Sequence, residues 1–272
     1  RSTLFPYTTL FRSGHSSEIL KRLKKGKLVA FDQDEDAMRN VPDDKRLIFL
    51  GQNFRFLRNN LKYLGIEAVD GIIADLGVSF HQFDEPERGF TFRQDAALDM
   101  RMNRKGPVTA ASLLKNLGEA ELAKLFYDYG ELLNARRIAR ELVTARAEKP
   151  LTRVSDIIGA IGKIAPPRQE NKFYARVFQA LRIAVNHEID YLKEMLEQAL
   201  EVLTKDGRLV VITYHSLEDR VVKNFMRTGN FEGEEKKDFY GNLITPFRII
   251  NRKGTVPNEI EIELNRRARS AR

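Results

Sequence analysis

Short apolar runs alternate with amphipathic stretches in the first third of the chain. Apolar residues dominate segments 27–31, 47–50 and 71–75, and runs of this kind are typical of buried strands in a parallel sheet. Apolar residues at helical spacing follow the first glycine, within 14–23, and recur in 54–64. The pattern predicts an α/β fold in which crossover helices connect parallel strands.

The alternation of helix and strand patterns stops for the middle of the chain. Residues 95–167 are charged and read as helices, one of them with Leu122, Leu125 and Phe126 on one face. The sheet pattern then resumes, with another apolar run at 209–212. We therefore predict a discontinuous sheet domain, made of 14–94 and 168–272, with a helical domain inserted at 95–167.

The last part of the chain combines alternation with positive charge. Asp238–Asn251 and Glu259–Leu264 alternate apolar and polar residues, which predicts an antiparallel pair of strands at the sheet edge. The end of the chain is basic and contains Arg266, Arg267 and Arg269. This tail is predicted to contact phosphate groups, with a solvated terminus as the alternative.

Residues 1–13 do not fit the pattern. They show neither strand alternation nor a helical period, and they lack the apolar core of a signal peptide. They resemble translated adapter sequence, so the fold prediction excludes them. A doubly wound sheet would nevertheless need a first strand and a glycine loop before Gly14.

The composition narrows the class of partner. Lys and Arg outnumber Asp and Glu by 46 to 38, which gives a net charge of +8. This charge favours nucleic acid as the partner. The alternative is that the protein is basic and binds no nucleic acid. The chain has no cysteine and no apolar run long enough for a membrane span. A cytoplasmic protein without membrane association is therefore predicted. The histidines are scattered, so no metal site is predicted; they are His15, His81, His187 and His215.

Two polar residues end predicted strands. Asp75 follows the run 71–74, and His215 lies shortly after 209–212. Ligands of open α/β sheets bind beyond the carboxyl ends of the strands, so both are candidates for one cleft. The structural alternatives are that Asp75 caps a turn and that His215 is a hydrogen-bonded residue before a helix cap formed by Ser216 and Asp219.

Two further groups suggest anion or nucleotide binding. Asp32 ends the strand that follows the Gly14 turn, the position from which an acid accepts hydrogen bonds from ribose hydroxyls. Arg136 and Arg140 are one helical turn apart and share a face. That face is predicted to bind phosphate, unless Glu131 and Glu141 pair with the two arginines.

Several motifs in one order now point to a family. They are Gly14–Ser16, Asp75–Ser79, Glu85–Phe90, Leu98–Met102, Arg176–Asn186 and His215–Arg220. From Gly14 to the end, the chain resembles the bacterial 16S ribosomal RNA (cytosine-N4)-methyltransferase family, which uses S-adenosylmethionine.

The resemblance implies a class I (Rossmann-like) methyltransferase sheet with an inserted helical domain that recognises RNA. It also implies 16S ribosomal RNA in the small ribosomal subunit as substrate, methylated on the exocyclic amine of a cytidine in the decoding region. The matching cofactor positions are Gly14, His15, Asp32, Phe54, Asp75 and Gln82. Asp75 and, more weakly, His215 are the catalytic candidates, and a homodimer is left open.

The chain departs from the family before Gly14. Ser13 replaces the first glycine of the family's glycine-glycine-histidine motif, and the expected first strand and loop are not recognisable in 1–13. A catalytically impaired RNA-binding protein is therefore the alternative function. A dinucleotide-dependent dehydrogenase is disfavoured, because no G-x-G-x-x-G turn is present.

Overall fold

The structure is a computed structural model that describes residues 2–6, 14–251 and 254–272, with backbone alone for residues 2–6, 80, 81, 264, 266 and 267. The strands are β1 (Ser2–Pro6), β2 (Lys27–Phe31), β3 (Leu47–Leu50), β4 (Val69–Asp75) and β5 (Leu203–Ile212). The helices are α1 (Gly14–Arg22), α2 (Leu57–Tyr63), α3 (Phe80–Asp84), α4 (Ala110–Asn116), α5 (Glu119–Gly130), α6 (Ala135–Glu148), α7 (Val154–Ile161), α8 (Glu170–Asn186), α9 (Glu188–Val202), α10 (Ser216–Thr228) and α11 (Glu259–Leu264).

The strands form one parallel sheet in the order β3-β2-β1-β4-β5. Strand order reverses at β1, since β2 and β3 lie on one side of it and β4 and β5 on the other. Because all five strands are parallel, their carboxyl ends lie at the same edge of the sheet. Ligands of such folds bind at this edge, near the point where strand order reverses. The predicted α/β class, with helical sequence inserted between β4 and β5, is confirmed.

The central strand of the sheet, β1, lies within residues 1–13, which the sequence analysis excluded from the fold. That exclusion is therefore wrong for Ser2–Pro6. β1 pairs with β2 from Ser2↔Lys27 to Pro6↔Phe31, and with β4 at Thr3↔Gly71 and Leu4↔Ile72. Backbone N–H and C=O groups make these pairs, so a sequence without a recognisable strand pattern can occupy the position. Residues 7–13, where the glycine loop was expected, lie outside the described residues.

The chain divides into two compact units. The first contains Arg1–Gly77 and Ile189–Arg272 and therefore the whole sheet. Apolar residues of β2, α2, α9 and α10 form its largest core cluster, which includes Phe31, Leu57 and Phe225, each at most 2% exposed. Complete burial of one such side chain stabilises the fold by about 1.5–3 kcal/mol.

The second unit, Val78–Glu188, is helical and longer than the predicted insert 95–167. Helix α8 belongs to it, because Phe173, Val177 and Phe178 are buried in the same core as residues of α5 and α6. Phe92, which precedes the predicted boundary, packs edge-on against Phe178 with ring centroids 5.8 Å apart. No helix among the described residues is both long and apolar enough to cross a membrane.

A left-handed turn at Gly89 joins segments within the second unit. Gly89 has φ +71° and ends the short 3₁₀ helix Pro86–Arg88. A Cβ at this position would lie 2.3 Å from the carbonyl oxygen of Ala97. Next to it, the buried Arg88 guanidinium donates to the carbonyl oxygens of Arg101 and Met102. Close backbone approach and a positive φ both require glycine here.

The predicted antiparallel pair near the end of the chain is wrong. Glu259–Leu264 is α11, and no strand is assigned to Asp238–Asn251 within the part of the chain that the structure describes. The Asn258 side chain accepts a hydrogen bond from the backbone N–H of Glu261 (2.8 Å) and so caps the helix. This local cap, rather than the two-residue alternation, determines the conformation.

Candidate active site at the carboxyl edge of the sheet

Polar side chains follow the carboxyl ends of neighbouring strands in the first unit. Asp32 follows β2, Asn53 lies after β3, Asp75 is the last residue of β4, and Tyr214 follows β5. The Asn53 amide donates to Gln33 Oε1 (2.8 Å), which ties the loop after β3 to the loop after β2. Since all strands are parallel, these groups belong to one edge of the sheet.

Asp75 is the centre of a hydrogen-bonded group. The phenol of Tyr214 donates to Asp75 Oδ1 at 2.8 Å, and His15 Nδ1 lies 3.8 Å from Asp75 Oδ2. Asp75 is only 6% exposed, whereas about half of the His15 side chain is accessible. The structure thus brings together two of the predicted site residues, Asp75 and His15, and adds Tyr214.

Tyr214 is the functional candidate that the sequence analysis missed. Burial, and then the negative charge of Asp75, raise the pKa of the Tyr214 phenol well above its usual value. The phenol therefore remains protonated at neutral pH and donates to the carboxylate. Its backbone N–H also donates to Glu218 Oε2 (2.8 Å). A polar aromatic residue two positions after the apolar run 209–212 was the available signal.

His215 has a structural role in this fold. It is the N-cap of α10, and its Nδ1 accepts from the backbone N–H of Glu218 at 3.4 Å. Its Nε2 lies 3.2 Å from Glu218 Oε1. The predicted cap by Ser216 is therefore displaced by one residue. Because both ring nitrogens of His215 face Glu218, we expect His215 to position the segment after β5, and a direct catalytic role remains only a prediction.

Asp32 fits the role of a ribose-binding carboxylate. It is 1% exposed, and its Oδ1 accepts from the backbone N–H of Asp34 at 2.8 Å, which fixes the carboxylate at the end of β2. A carboxylate at the end of the second strand can accept hydrogen bonds from two neighbouring hydroxyl groups. This acceptor therefore suits the ribose hydroxyls in the adenosine part of S-adenosylmethionine.

The other predicted cofactor residues of the first unit differ in their surroundings. Phe54 is 4% exposed and belongs to the apolar core, so its visible contribution is to packing. Gly14 is exposed at the start of α1, and a Cβ there would meet no described atom within 4 Å. Cofactor contact by either residue remains a prediction.

Gln82 lies in the second unit and is 1% exposed. Its Oε1 accepts from the backbone N–H of Ser79 (3.0 Å), and Ser79 Oγ accepts from the backbone N–H of Gln82 (3.1 Å). This reciprocal pair is a capping box, which accounts for a glutamine at this position without a ligand. Contact between Gln82 and the cofactor remains a prediction.

The predicted RNA-binding arginines are accessible where the structure describes them. Arg136 and Arg140 are exposed on α6, and no described carboxylate lies within ion-pair distance of either guanidinium, which removes the alternative of pairing with Glu131 and Glu141. Arg269 is exposed in the tail. The side chains of Arg266 and Arg267 lie outside the described residues.

The tail is fixed at the same edge of the sheet as Asp75. The backbone N–H of Thr213 donates to the carbonyl oxygen of Arg272 (3.0 Å), and the N–H of Arg272 donates back to Thr213 (2.9 Å). The Arg272 guanidinium also lies 3.6 Å from Asp219. Positive charge at the end of the chain is therefore anchored beside the strand that precedes Tyr214.

Comparison with known proteins gives consistent results. The family described as the MraW methylase family matches residues 3–272. A ribosomal RNA small subunit methyltransferase H from Bacteroides thetaiotaomicron is 54% identical over 96% of this chain and 86% of that protein. The protein of the same name from Flavobacterium johnsoniae is 52% identical over 95% and 86%. A solved structure of an Anabaena variabilis methyltransferase, at 13% identity, covers 73% of this chain and 85% of that one with a TM-score of 0.21, too low for any argument.

Proposed function

The chain belongs to the MraW methylase family, and we propose that it transfers a methyl group from S-adenosylmethionine to the N4 amine of a cytidine in the decoding region of 16S ribosomal RNA. Relatives at 54% and 52% identity are named ribosomal RNA small subunit methyltransferases, which supports ribosomal RNA as the acceptor. The finer assignment to cytidine N4 rests on the motifs around Asp75, Arg176–Asn186 and His215.

The observation that most directly supports chemistry is the Asp75–Tyr214 hydrogen bond at the sheet edge. A carboxylate that only capped a turn would need no phenol at 2.8 Å. Asp75 Oδ1 is held by Tyr214, while Oδ2 faces His15 Nδ1 at 3.8 Å. The contacts to Tyr214 and His15 therefore orient the Asp75 carboxylate at the edge of the sheet.

The N4 amine of cytosine is a weak nucleophile, since its lone pair is delocalised into the ring. An acceptor for its N–H hydrogens would keep electron density on nitrogen and fix the direction of its lone pair. In our proposal Asp75 accepts that hydrogen bond, and Tyr214 holds the carboxylate in place. The target base would have to leave its stack to reach the edge of the sheet.

S-adenosylmethionine supplies an electrophilic methyl group on a sulfonium when it is bound. We propose that Asp32 accepts hydrogen bonds from its ribose hydroxyls and that Gly14 and His15, at the start of α1, lie against its methionine part. Asp75 would then border the cofactor as well as the acceptor. Phe54 and Gln82 are retained as further proposed contacts, on the family resemblance alone.

One of the two arguments for the alternative function, a catalytically impaired RNA-binding protein, no longer holds. It was based on a missing first strand, yet residues 2–6 occupy that position between β2 and β4. Calorimetric titration with S-adenosylmethionine separates the two functions, because only the enzyme must bind cofactor. A variant whose residues 1–13 are replaced by a family-like strand and glycine loop provides the comparison.

The proposed reaction is tested by identifying its product. We expect the chain to methylate small ribosomal subunits that lack the modification and to yield N4-methylcytidine at a single decoding-region position. Mass spectrometry of digested ribosomal RNA measures both the nucleoside and its location. Methylation of another atom, such as carbon 5 of the base, or no transfer by a cofactor-binding protein would contradict the proposal.

RNA binding by the second unit is tested on α6. Reversing the charge of both Arg136 and Arg140 to glutamate should raise KM for small subunits by roughly tenfold and reduce the salt dependence of binding, since about two phosphate contacts are lost. Arg137→Glu is the matched control, because Arg137 is equally exposed on the same helix but points in another direction. An equal effect of Arg137→Glu would indicate that net charge, not this face, determines binding.

A further inference from the structure

Positive charge is concentrated where strands β2 and β3 begin. From the end of α1 to the start of β2 the chain reads Lys-Arg-Leu-Lys-Lys-Gly-Lys, and residues 19–31 contain no acidic residue. The segment before β3 adds Lys45 and Arg46. Since β2 and β3 are parallel and pair from Leu28↔Leu47 onwards, both basic segments lie at the amino edge of the sheet. The candidate active site lies at the opposite edge.

Four lysines of these segments are exposed and form no ion pair with any residue that the structure describes. They are Lys24, Lys25, Lys27 and Lys45, and we call them the edge lysines. The neighbouring carboxylates are paired with other cations. Glu18 pairs with Lys21 and Arg22 on α1. Asp44 pairs with Arg46 at 2.6 Å, and hydrogen bonds from Arg46 lower the pKa of the Asp44 carboxyl to about 2.

The edge lysines project from a fixed base. The Arg46 guanidinium donates to both oxygens of Asp44 (2.6 and 3.0 Å) and to the carbonyl oxygen of Leu23, which joins the segment before β3 to the segment before β2. Leu23 and Leu47 pack against a small core cluster that contains Leu28. The backbone N–H of Leu28 donates to the Arg46 carbonyl oxygen (2.8 Å). An ordered surface of this kind loses less conformational entropy on binding than a mobile segment would.

The composition of the surface favours phosphate groups as ligands. Residues 18–27 and 43–46 contain seven basic and three acidic residues, so they carry half of the chain's net charge of +8. None of their apolar side chains is exposed, whereas membrane insertion or a protein interface needs an apolar centre. Met38, on the connection to β3, is exposed, but a single side chain makes no apolar patch. Ammonium groups bind phosphate as point charges, so the backbone of a nucleic acid fits this surface.

The edge lysines lie outside the candidate cofactor site. Lys27 begins β2 and Asp32 follows its end, so about 16 Å of strand separates the two residues. The surplus of positive charge does not continue across the sheet, because Glu67 and Asp70 lie at the start of β4. RNA bound by the edge lysines would therefore be a different segment from the one that presents its cytidine to Asp75.

We propose that the edge lysines bind backbone phosphates of the ribosomal RNA substrate, on a segment other than the one that contains the methylated cytidine. The proposal rests on the proposed function for the identity of the RNA. It adds to the first unit a phosphate contact that is separate from the arginines of α6 and from the basic tail. The contact involves no base, so it should favour a large folded RNA over a short oligonucleotide.

Charge reversal with a matched control tests this surface. Lys24→Glu/Lys25→Glu should weaken binding of small subunits about tenfold near 0.1 M salt, and should reduce the slope of log affinity against log salt by roughly two. Lys236→Glu/Lys237→Glu is the matched control, because it makes the same change in net charge at two adjacent exposed lysines, within a segment, 232–238, that contains four carboxylates. Equal loss of affinity in both variants, or no loss in the first, would overturn the proposal.

Methylation kinetics provide a second readout. In Lys24→Glu/Lys25→Glu, KM for small subunits should rise about tenfold while kcat and cofactor affinity stay unchanged, because the edge lysines touch no reacting atom. A lower kcat with an unchanged KM would overturn the proposal. The binding measurement requires no methyl transfer. Absence of methylation by the unmodified chain would therefore contradict the proposed function, while binding would still decide the role of the edge lysines.

Chemical labelling identifies the contact without any substitution. Acetylation, followed by mass spectrometry, should slow at Lys24, Lys25 and Lys27 when naked 16S ribosomal RNA is added, and should stay unchanged at Lys236 and Lys237. Equal labelling with and without RNA would overturn the proposal. Vesicles that contain phosphatidylglycerol test a membrane as the anionic partner. Sedimentation with vesicles that is lost in Lys24→Glu/Lys25→Glu, while RNA binding stays unchanged, would assign the surface to a membrane and overturn the proposal.

Discussion

Replacing Asp75 by asparagine is expected to lower kcat for methylation of small subunits by about 100-fold or more. The change preserves the size of the side chain, and its carbonyl oxygen can still accept from the Tyr214 phenol. It removes the negative charge, and with it the acceptor strength that would keep the amine nucleophilic, a loss that typically costs a factor of about 10²–10⁴. Single-turnover kinetics, with cofactor affinity measured in parallel by calorimetry, would separate chemistry from binding.

Two variants define the meaning of that result. Asp70→Asn makes the same substitution near the amino end of β4, away from the site edge, and should leave kcat unchanged. Tyr214→Phe retains the ring and removes only the donor to Asp75, and we expect about a tenfold loss, as for a hydrogen bond to a charged group. If Asp75→Asn retained most of the activity and the cofactor affinity of the unmodified chain, Asp75 would not be the acceptor.

Replacing Gly89 by alanine is expected to destabilise the second unit by about 3 kcal/mol or more. Alanine in the left-handed conformation costs about 1–2 kcal/mol, and its Cβ would lie 2.3 Å from the Ala97 carbonyl oxygen, so one of the two backbone segments must move. Displacing that backbone costs a further amount similar to overpacking of a core. Hydrogen exchange should accelerate in α5 and α8, while the amides of β2 keep their protection.

Gly159→Ala is the matched control for this change. Gly159 lies inside α7 of the same unit, is exposed, and has no described atom within 4 Å of an added Cβ. Alanine should therefore slow exchange slightly, because it favours helix by up to about 1 kcal/mol relative to glycine. Equal behaviour of the two variants would show that the Gly89 turn does not constrain the second unit.

The strands β2 and β3 were predictable because their apolar runs are short and bounded. The runs at 27–31 and 47–50 coincide with β2 and β3. The limits of the second unit were not predictable in this way, since α8 has the same helical period as the helices of either unit. Only its packing partners, such as Phe92 against Phe178, assign it. The alternation of apolar and polar residues in Glu259–Leu264 predicted a strand, but this segment is a helix that the Asn258 side chain caps.

The site was predictable at the level of strand ends. Asp32 and Asp75 end buried strands, and fold class alone makes such positions candidates. The contact between Tyr214 and Asp75 depends on the pairing of β4 with β5, whose registered residues Asp75 and Ile212 are far apart in sequence. His215 illustrates the opposite case, because a residue at a strand end can serve mainly as a helix cap.

The central position of β1 has a consequence for solubility. β1 alone connects the pair β2–β3 to the pair β4–β5. Whenever it detaches, β2 and β4 would each present a row of unpaired N–H and C=O groups. Such edges pair readily with strands of other molecules. A five-residue segment thus protects the sheet from aggregation, and conditions that loosen it should precipitate the protein before its helices unfold.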